Sequence, residues 1–191
     1  MKNIILASGS AQRRKLLAMA GLEFTVRRSG VEEISTITST CAHLVKKNAL
    51  IKAQDVASRL RSGIVIGADT VVYGGGKKLI LKPKDLADAR RILREMFAKP
   101  HWVYTGVAII DAASGKTAVS HEKTKVYMYP LTRSEIDRYH RHISPLDKAG
   151  GFDIEGRGGT FIHRIEGCYT NVIGLPMVRL RIMLKEFGVE F

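Results

Sequence analysis

A chain of 191 residues with 45% hydrophobic and 26% charged residues has the composition of an ordinary soluble globular protein. Its 31 lysines and arginines outnumber its 18 aspartates and glutamates, which gives a formal net charge of +13 at pH 7. This length suits a single domain over residues 1–191, or one elongated domain with two lobes. The positive charge favours anionic partners such as nucleotides, nucleic acid or phosphate-rich surfaces, and does not choose among them.

The two cysteines, Cys41 and Cys168, argue against a disulfide framework and against a structural zinc site, because neither has a partner at metal-ligand spacing. The apolar run at the N-terminus is too short for a signal peptide, and no run approaches the length that spans a bilayer. We therefore expect a cytoplasmic protein with no membrane partner.

The first predicted elements are a strand, a tight turn and a helix. Residues 2–7 (KNIILA) have the composition of a buried strand, and the small hydroxyl residues that follow lead into an apolar pair at helical spacing. The helix is predicted over roughly residues 12–20, with Gly21 as its C-cap.

The turn between that strand and that helix suits a phosphate group. A helix start offers unpaired N–H groups, Ser8 and Ser10 add hydroxyl donors, and Arg13 and Arg14 add positive charge. The alternative is that one serine is only an N-cap and the arginines only solvate a surface helix. The chain contains no Walker loop and no G-x-G-x-x-G after a strand.

A strand over residues 22–28 and a Ser/Thr-rich loop over residues 29–39 come next. The loop contains Glu32 and Glu33, which could bind a metal or could be solvated loop charges. From the residues alone, the second interpretation is favoured because no partner is evident.

Residues 40–60 predict a long amphipathic helix, capped by Thr40 or Ser39. Lysines on such a helix face solvent by default. Lys52 lies about a turn and a half from Lys46 and Lys47 and could instead face inward.

Asp69 interrupts the otherwise apolar strand predicted over residues 64–72 (IVIGADTVV). A carboxylate in such a run is costly to bury unless it is paired or bound to a metal. Asp69 is therefore predicted to be functional.

The second half of the chain predicts alternating short elements. The sequence indicates a strand at 79–81, a helix at 86–97 capped by Asp85, paired strands at 102–111 and 117–129, a helix at 133–142, a strand at 161–165, another possible strand at 168–173, and a C-terminal helix at 176–186. Five glycines over residues 147–159 suggest a binding loop whose backbone approaches a ligand, although a flexible surface loop would show the same composition.

Six segments, in order and at familiar spacing over nearly the whole chain, resemble the Maf family of nucleoside triphosphate pyrophosphatases. The family's L-A-S-x-S-P-R-R, G-A-D-T-V-V, K-P-x-D, H-x-V-x-T-G-V-A, D-K-A-G-G-(Y/F) and N-V-(V/I)-G-L-P correspond to residues 6–13, 67–72, 82–85, 101–108, 147–152 and 171–176.

This resemblance implies an elongated α/β fold with a long mixed sheet, like that of the inosine triphosphate pyrophosphatases, and an active cleft between two lobes. It implies hydrolysis of the α–β phosphoanhydride of a nucleoside triphosphate to a monophosphate and pyrophosphate, with a divalent cation, Mg²⁺ or Mn²⁺. It also implies a homodimer.

The resemblance assigns roles to particular residues. Asp69 resembles the family's proposed general base, and together with Glu33 it supplies the hard oxygen ligands that Mg²⁺ and Mn²⁺ prefer. The catalytic group implied is Asp69, Glu33, Lys52 and Lys82. The substrate-binding group implied is Ser8, Ser10, Gln12, Arg13, Thr70, Lys148 and Glu155.

Two departures from the family pattern concern the nucleobase. Gln12 stands where the family has an arginine, so one arginine is missing unless Arg14 replaces it. Glu155 stands where the pyrimidine-preferring branch has glutamine, whereas Thr70 agrees with the dTTP/UTP branch. The branch that prefers 7-methyl-GTP has tryptophan and glutamate at the positions of Gln12 and Glu155. The preferred base is therefore open at this stage.

A binding module for nucleic acid, with weak or lost catalysis, is the alternative to an enzyme. The charge of +13 and the missing arginine at Gln12 favour it. Carboxylates such as Glu33 and Asp69 would not help such a module, and no known nucleic-acid-binding motif is present, so an enzyme is the preferred interpretation.

Overall fold

The computed structural model describes residues 2–75, 79–147, 149–152 and 154–191. Within these residues the chain forms seven strands and six α-helices. The strands are β1 (Ile4–Leu6), β2 (Thr25–Val26), β3 (Ile64–Tyr73), β4 (Leu79–Ile80), β5 (His101–Asp111), β6 (Thr117–Met128) and β7 (Ile162–Glu166). The helices are α1 (Ala11–Met19), α2 (Cys41–Ala57), α3 (Leu86–Ala98), α4 (Arg133–His140), α5 (Tyr169–Ile173) and α6 (Met177–Lys185).

All seven strands belong to one mixed sheet. Their order is β2-β1-β3-β5-β6-β7, and β4 pairs with β3 outside this order. β1 runs parallel to β2 and β3, whereas the β3–β4 and β6–β7 pairs are antiparallel. The predicted α/β class with a mixed sheet is confirmed.

β1 is apolar throughout because it is buried on both faces, as strands of parallel pairs usually are. Ile4 and Leu6 join an apolar cluster with residues of α1 and α6. Ile5 belongs to a second cluster with Ala49 and Ala53 of α2. The alternation of side chains along the strand therefore places helices on both of its faces.

α2 begins where the sequence predicts, with Thr40 accepting a hydrogen bond from the backbone N–H of His43 at 3.1 Å. The helix lies very close to the sheet at two glycines. A Cβ at Gly67 would lie 2.2 Å from the carbonyl oxygen of Ala49, and a Cβ at Gly106 would lie 2.1 Å from that of Val45. Only glycine allows this approach at either position.

The chain divides into two compact units. The first contains residues 1–70, 104–122 and 170–191, and the second contains residues 71–103 and 123–169. Strands β3, β5 and β6 each contribute residues to both units.

The second unit contains α3, α4 and β7. Asp85 caps α3 by accepting from the backbone N–H of Asp88 at 2.8 Å, as predicted. In the glycine-rich loop, the N–H of Gly150 donates to the carbonyl of Leu81 at 3.0 Å. Gly150 has a φ of 72°, and a Cβ there would lie 2.4 Å from the sulfur of Met96. This part of the loop is thus packed onto its own unit.

Two predicted strands differ in the structure. Residues 169–173 form the short helix α5 rather than a strand, and the N–H of Gly174 closes it by donating to the carbonyls of Thr170 and Asn171. β2 contains only Thr25 and Val26 of the predicted 22–28. It starts later than predicted because the N–H of Leu22 still donates to Leu17 in the C-terminal cap of α1.

No α-helix among the described residues has the length and apolar character needed to cross a membrane.

Candidate functional site

Two neighbouring residues of β3, Asp69 and Thr70, organise the site in the first unit. Consecutive side chains of a strand point to opposite faces of the sheet. Asp69 accordingly contacts α2, whereas Thr70 contacts Arg13 of α1. The site therefore has a carboxylate side and an arginine side.

On the carboxylate side, Lys52 lies between two acidic groups. Its Nζ is 2.7 Å from Oδ1 of Asp69 and 2.6 Å from Oε1 of Glu33. Asp69 is only 4% exposed, whereas the side chain of Glu33 is 58% exposed. A buried lysine and a buried carboxylate thus compensate each other, and Glu33 presents a carboxylate to solvent beside them.

The second oxygen of Asp69 is held by a residue that the sequence did not single out. Nδ2 of Asn48 donates to Oδ2 of Asp69 at 3.0 Å. The same amide group donates to the carbonyl of Ile34 at 3.0 Å and accepts from its N–H at 2.9 Å. Both oxygens of the Asp69 carboxylate therefore have a donor on α2.

Besides the contact of Lys52 with Glu33, two more residues of α2 hold the loop that carries Glu33. Asn48 holds Ile34, and Oδ2 of Asp55 accepts from the N–H of Gly30 at 2.9 Å. This hydrogen bond is the main cause that lowers the pKa of Asp55, with smaller contributions from Ser29 and Arg59. The position of Glu33 thus depends on polar residues of α2.

The oxygen donors on this side fit a hard divalent cation. Glu33 and Asp69 offer carboxylate oxygens, which Mg²⁺ and Mn²⁺ prefer over nitrogen and sulfur. Among the described residues no group of three or more His, Cys, Asp or Glu side chains is placed to hold a metal. Mg²⁺ is commonly held by one or two carboxylates together with substrate phosphates, so this donor set fits that mode and not a closed protein cage.

On the arginine side, Arg13 is buried and donates four hydrogen bonds within the unit. Its acceptors are the carbonyls of Gly174 and Ala68 and the hydroxyls of Ser8 and Thr70, at 2.9 to 3.0 Å. Burial lowers the pKa of Arg13, and the nearby charges of Asp69 and Glu33 act in the opposite direction. One N–H of the guanidinium is not used in these four bonds.

The serines of the first turn have local partners. Ser10 is the N-cap of α1, and its hydroxyl accepts from the N–H of Arg13 at 3.4 Å and donates to Oε1 of Gln12 at 3.3 Å. The N–H of Ser10 donates to the hydroxyl of Ser8 at 3.3 Å. Both serines remain half-buried, and Arg14 is exposed.

Ten predicted site residues have described positions. Eight lie in the first unit and two lie in the second, where Lys82 is exposed and Glu155 is half-buried. Lys148 lies outside the described residues. In the first unit the structure forms two groups, Glu33, Lys52 and Asp69 on one side and Ser8, Ser10, Gln12, Arg13 and Thr70 on the other.

Three further contributors were missed by the sequence analysis. Asn48 holds Asp69, the carbonyl of Gly174 accepts from Arg13, and the hydroxyl of Thr105 lies 2.9 Å from that of Thr70. The sequence did offer a signal for Asn48. It lies four residues before Lys52 on an amphipathic helix, so the two side chains share one face of that helix. No sequence pattern marks a backbone carbonyl such as that of Gly174.

The arrangement suits hydrolysis at a charged phosphoryl group. A buried carboxylate with fixed geometry can orient water or accept its proton, and a neighbouring exposed carboxylate can hold a cation. Hydroxyls at a helix start beside a buried arginine offer donors and positive charge to phosphate oxygens.

Comparisons with known proteins agree with this chemistry. The family model described as Maf-like protein matches residues 3–187. A protein of Pelotomaculum thermopropionicum named dTTP/UTP pyrophosphatase is 47% identical over 98% of both chains. A protein of the same name from Desulforamulus reducens is 44% identical, over 100% of this chain and 99% of that protein. Another from Bacillus cereus is also 44% identical, over 100% of this chain and 92% of that protein.

Among solved structures, the Staphylococcus aureus Ham1 protein matches with a TM-score of 0.43 and 14% identity, over 66% of this chain and 72% of that chain. The family assignment does not depend on this likeness. Because the family model spans nearly the whole chain and full-length relatives share 44 to 47% of its residues, the chain belongs to the Maf family.

Proposed function

We propose that this chain is a nucleoside triphosphate pyrophosphatase that hydrolyses the α–β phosphoanhydride and releases a nucleoside monophosphate and pyrophosphate. The observation that carries the proposal is the cluster of Glu33, Lys52 and Asp69, with Asp69 buried and held through both oxygens. The name dTTP/UTP pyrophosphatase of several relatives supports this reaction and makes dTTP and UTP the first candidate substrates.

Asp69 acts on the water in this mechanism. Its carboxylate orients the water toward the α-phosphorus and accepts a proton as the new P–O bond forms, and pyrophosphate leaves with the electrons of the broken anhydride bond. Lys52 places a positive charge against the buried carboxylate by direct contact with Oδ1 of Asp69.

Ser8, Ser10 and Arg13 bind phosphate oxygens at the start of α1. Ser8 and Ser10 supply hydroxyl groups. Arg13 supplies positive charge, and it holds the side chains of Ser8 and Thr70 in place by donating hydrogen bonds to their hydroxyls. Gln12 and Thr70 lie beside them. The family resemblance supports a catalytic role for Lys82 and substrate-binding roles for Lys148 and Glu155.

Asp69→Asn provides the first test. Pyrophosphate release should fall at least about a hundredfold, because a general base or metal-orienting carboxylate is lost, while the fold is kept. The assay compares wild type and variant on dTTP, UTP, CTP, GTP and 7-methyl-GTP, with circular dichroism to check folding. Near wild-type turnover by Asp69→Asn on the best substrate would refute the assignment.

We also propose that activity requires a divalent cation held by Glu33 and Asp69. A cation such as Mg²⁺ or Mn²⁺ would neutralise charge on the phosphoryl oxygens. Activity should disappear in excess chelator and return with either metal, and Glu33→Gln should raise the metal concentration needed for half-maximal rate. Full turnover by metal-free protein would contradict this.

A homodimer in the cytoplasm is the proposed form of the protein. The family resemblance supports the dimer, and two cysteines in a chain of this size, too few for a disulfide framework, fit a reducing compartment. Light scattering on the purified chain would give its mass in solution.

A further inference from the structure

Asn48 has an unusual environment for a polar residue in the middle of a helix. It is 1% exposed and lies on the face of α2 that packs against β3. An unpaired amide in such a place would cost stability, so its hydrogen bonds decide whether it is tolerated. Both of its N–H donors and its carbonyl oxygen are used.

The three partners of Asn48 determine how its amide is oriented. Its oxygen faces a donor, the N–H of Ile34, and its nitrogen faces two acceptors, the carbonyl of Ile34 and Oδ2 of Asp69. The reversed orientation would place like groups against each other at all three contacts. The side chain therefore has one satisfied arrangement.

This arrangement links the two acidic residues of the site. Through Ile34, Asn48 holds the loop next to Glu33, and through its other N–H it holds the carboxylate of Asp69. Lys52, four residues further along α2, contacts both carboxylates directly. Asn48 and Lys52 together present a fixed donor to each oxygen of Asp69.

We propose that Asn48 is a positioning residue for catalysis, which orients the Asp69 carboxylate and couples it to the loop that carries Glu33. The inference rests on the role proposed for Asp69. Asn48 contacts neither substrate nor metal in this account. It acts by keeping Oδ2 of Asp69 engaged, so that the carboxylate cannot rotate about its side chain and lose its orientation toward water.

Asn48→Asp keeps only one of the three contacts. The new carboxylate can still accept from the N–H of Ile34, but it cannot donate to Asp69 or to the carbonyl of Ile34, and it places a like charge beside Asp69. We expect kcat to fall at least about tenfold, the size expected for a lost hydrogen bond to a charged group, with KM changed less than about threefold. Hydrogen exchange should show that the Ile34 amide stays protected. Asn48→Leu should lower kcat as well and also expose the Ile34 amide.

A control variant tests whether the effect is specific. Thr124→Val removes a buried hydroxyl that exchanges hydrogen bonds with Cys168 in the second unit. It should keep kcat within about threefold of wild type. Wild-type kcat in Asn48→Asp, or an equal loss of kcat in Thr124→Val, would overturn the inference. Asp69→Asn, measured in parallel, tests the role proposed for Asp69. If this variant is active, the proposed function of Asp69 fails. If it is inactive while Asn48→Asp is active, only the role of Asn48 fails.

Discussion

Lys52 joins the two carboxylates of the candidate site. Its ammonium group is buried, and it contacts one carboxylate that is buried and one that is exposed. Desolvating a lysine is tolerated here because two opposite charges lie within hydrogen-bond distance. The same contacts fix the distance between Glu33 and Asp69, on which the proposed chemistry depends.

Glu155 is the residue whose type we expect to bear most directly on the choice of base. A glutamine can accept from the pyrimidine N3–H and donate to an adjacent carbonyl, whereas an ionised carboxylate only accepts and suits the adjacent donors of guanine. Glu155→Gln should therefore raise kcat/KM for dTTP and UTP relative to GTP by about tenfold to a hundredfold.

The measurement is a ranking of kcat/KM on dTTP, UTP, CTP, GTP and 7-methyl-GTP. Glu166→Gln is a matched control, because Glu166 is an exposed carboxylate of the same unit that pairs with Arg164. An unchanged ranking in Glu155→Gln would mean that Glu155 does not contact the base.

At the scale of elements, the distance between α2 and the sheet controls the carboxylate side of the site. Asn48 and Lys52 reach Asp69 from a helix that lies against β3 and β5 at Gly67 and Gly106. Any side chain at these glycines would meet backbone atoms of α2, which cannot move without displacing the helix.

Gly67→Ala should therefore weaken both the fold and the reaction. Its methyl group would lie 2.2 Å from the carbonyl oxygen of Ala49, so α2 must shift and withdraw Asn48 and Lys52 from Asp69. We expect a loss of about 1–3 kcal/mol in the free energy of unfolding, as for overpacked cores, and a lower kcat. Urea unfolding and the pyrophosphate assay measure the two effects.

Gly30→Ala is the matched control, because an added Cβ there has no atom within 4 Å. Its stability should remain within about 0.5 kcal/mol of wild type, as at ordinary surface positions. Equal stability of Gly67→Ala and Gly30→Ala would show that the close approach of α2 is not required.

For the molecule as a whole, the buried histidine His101 contributes to how stability depends on pH. His101 is 4% exposed, and burial lowers its pKa to about 4, although a hydrogen bond to the Met96 backbone acts in the opposite direction. Burial also lowers the pKa of His121 and His140.

The direction in which stability changes with pH follows from the protons that the folded and unfolded chains bind. Between pH 6.5 and about 4, the unfolded chain binds a proton at His101 that the folded chain excludes, so stability falls as the pH falls through this window. The shift from 6.5 to about 4 corresponds to a loss on the order of 3 kcal/mol. Thermal unfolding should show this decline in wild type and a smaller one in His101→Gln. His163→Gln, which changes an exposed histidine, should keep the wild-type dependence of stability on pH. An equal dependence on pH in all three proteins would refute the role of His101.

The sequence by itself determined the local elements and the chemical types of the site. Capping residues and hydrophobic period located α2 and α3, and a lone carboxylate in an apolar strand made Asp69 a candidate site residue, because these signals depend on neighbours along the chain. The inward position of Lys52, considered possible from its spacing, is confirmed by its burial and its contact with Asp69.

Only the tertiary structure decided which groups meet. Arg13 donates to the carbonyl of Gly174, 161 positions further along the chain, and Asn48 joins the Glu33 loop to β3. Residues 169–173 are helical although their aromatic and β-branched composition favours a strand. In each case the outcome depends on the backbone groups that the fold brings within hydrogen-bond distance, and neither periodicity nor propensity specifies those partners.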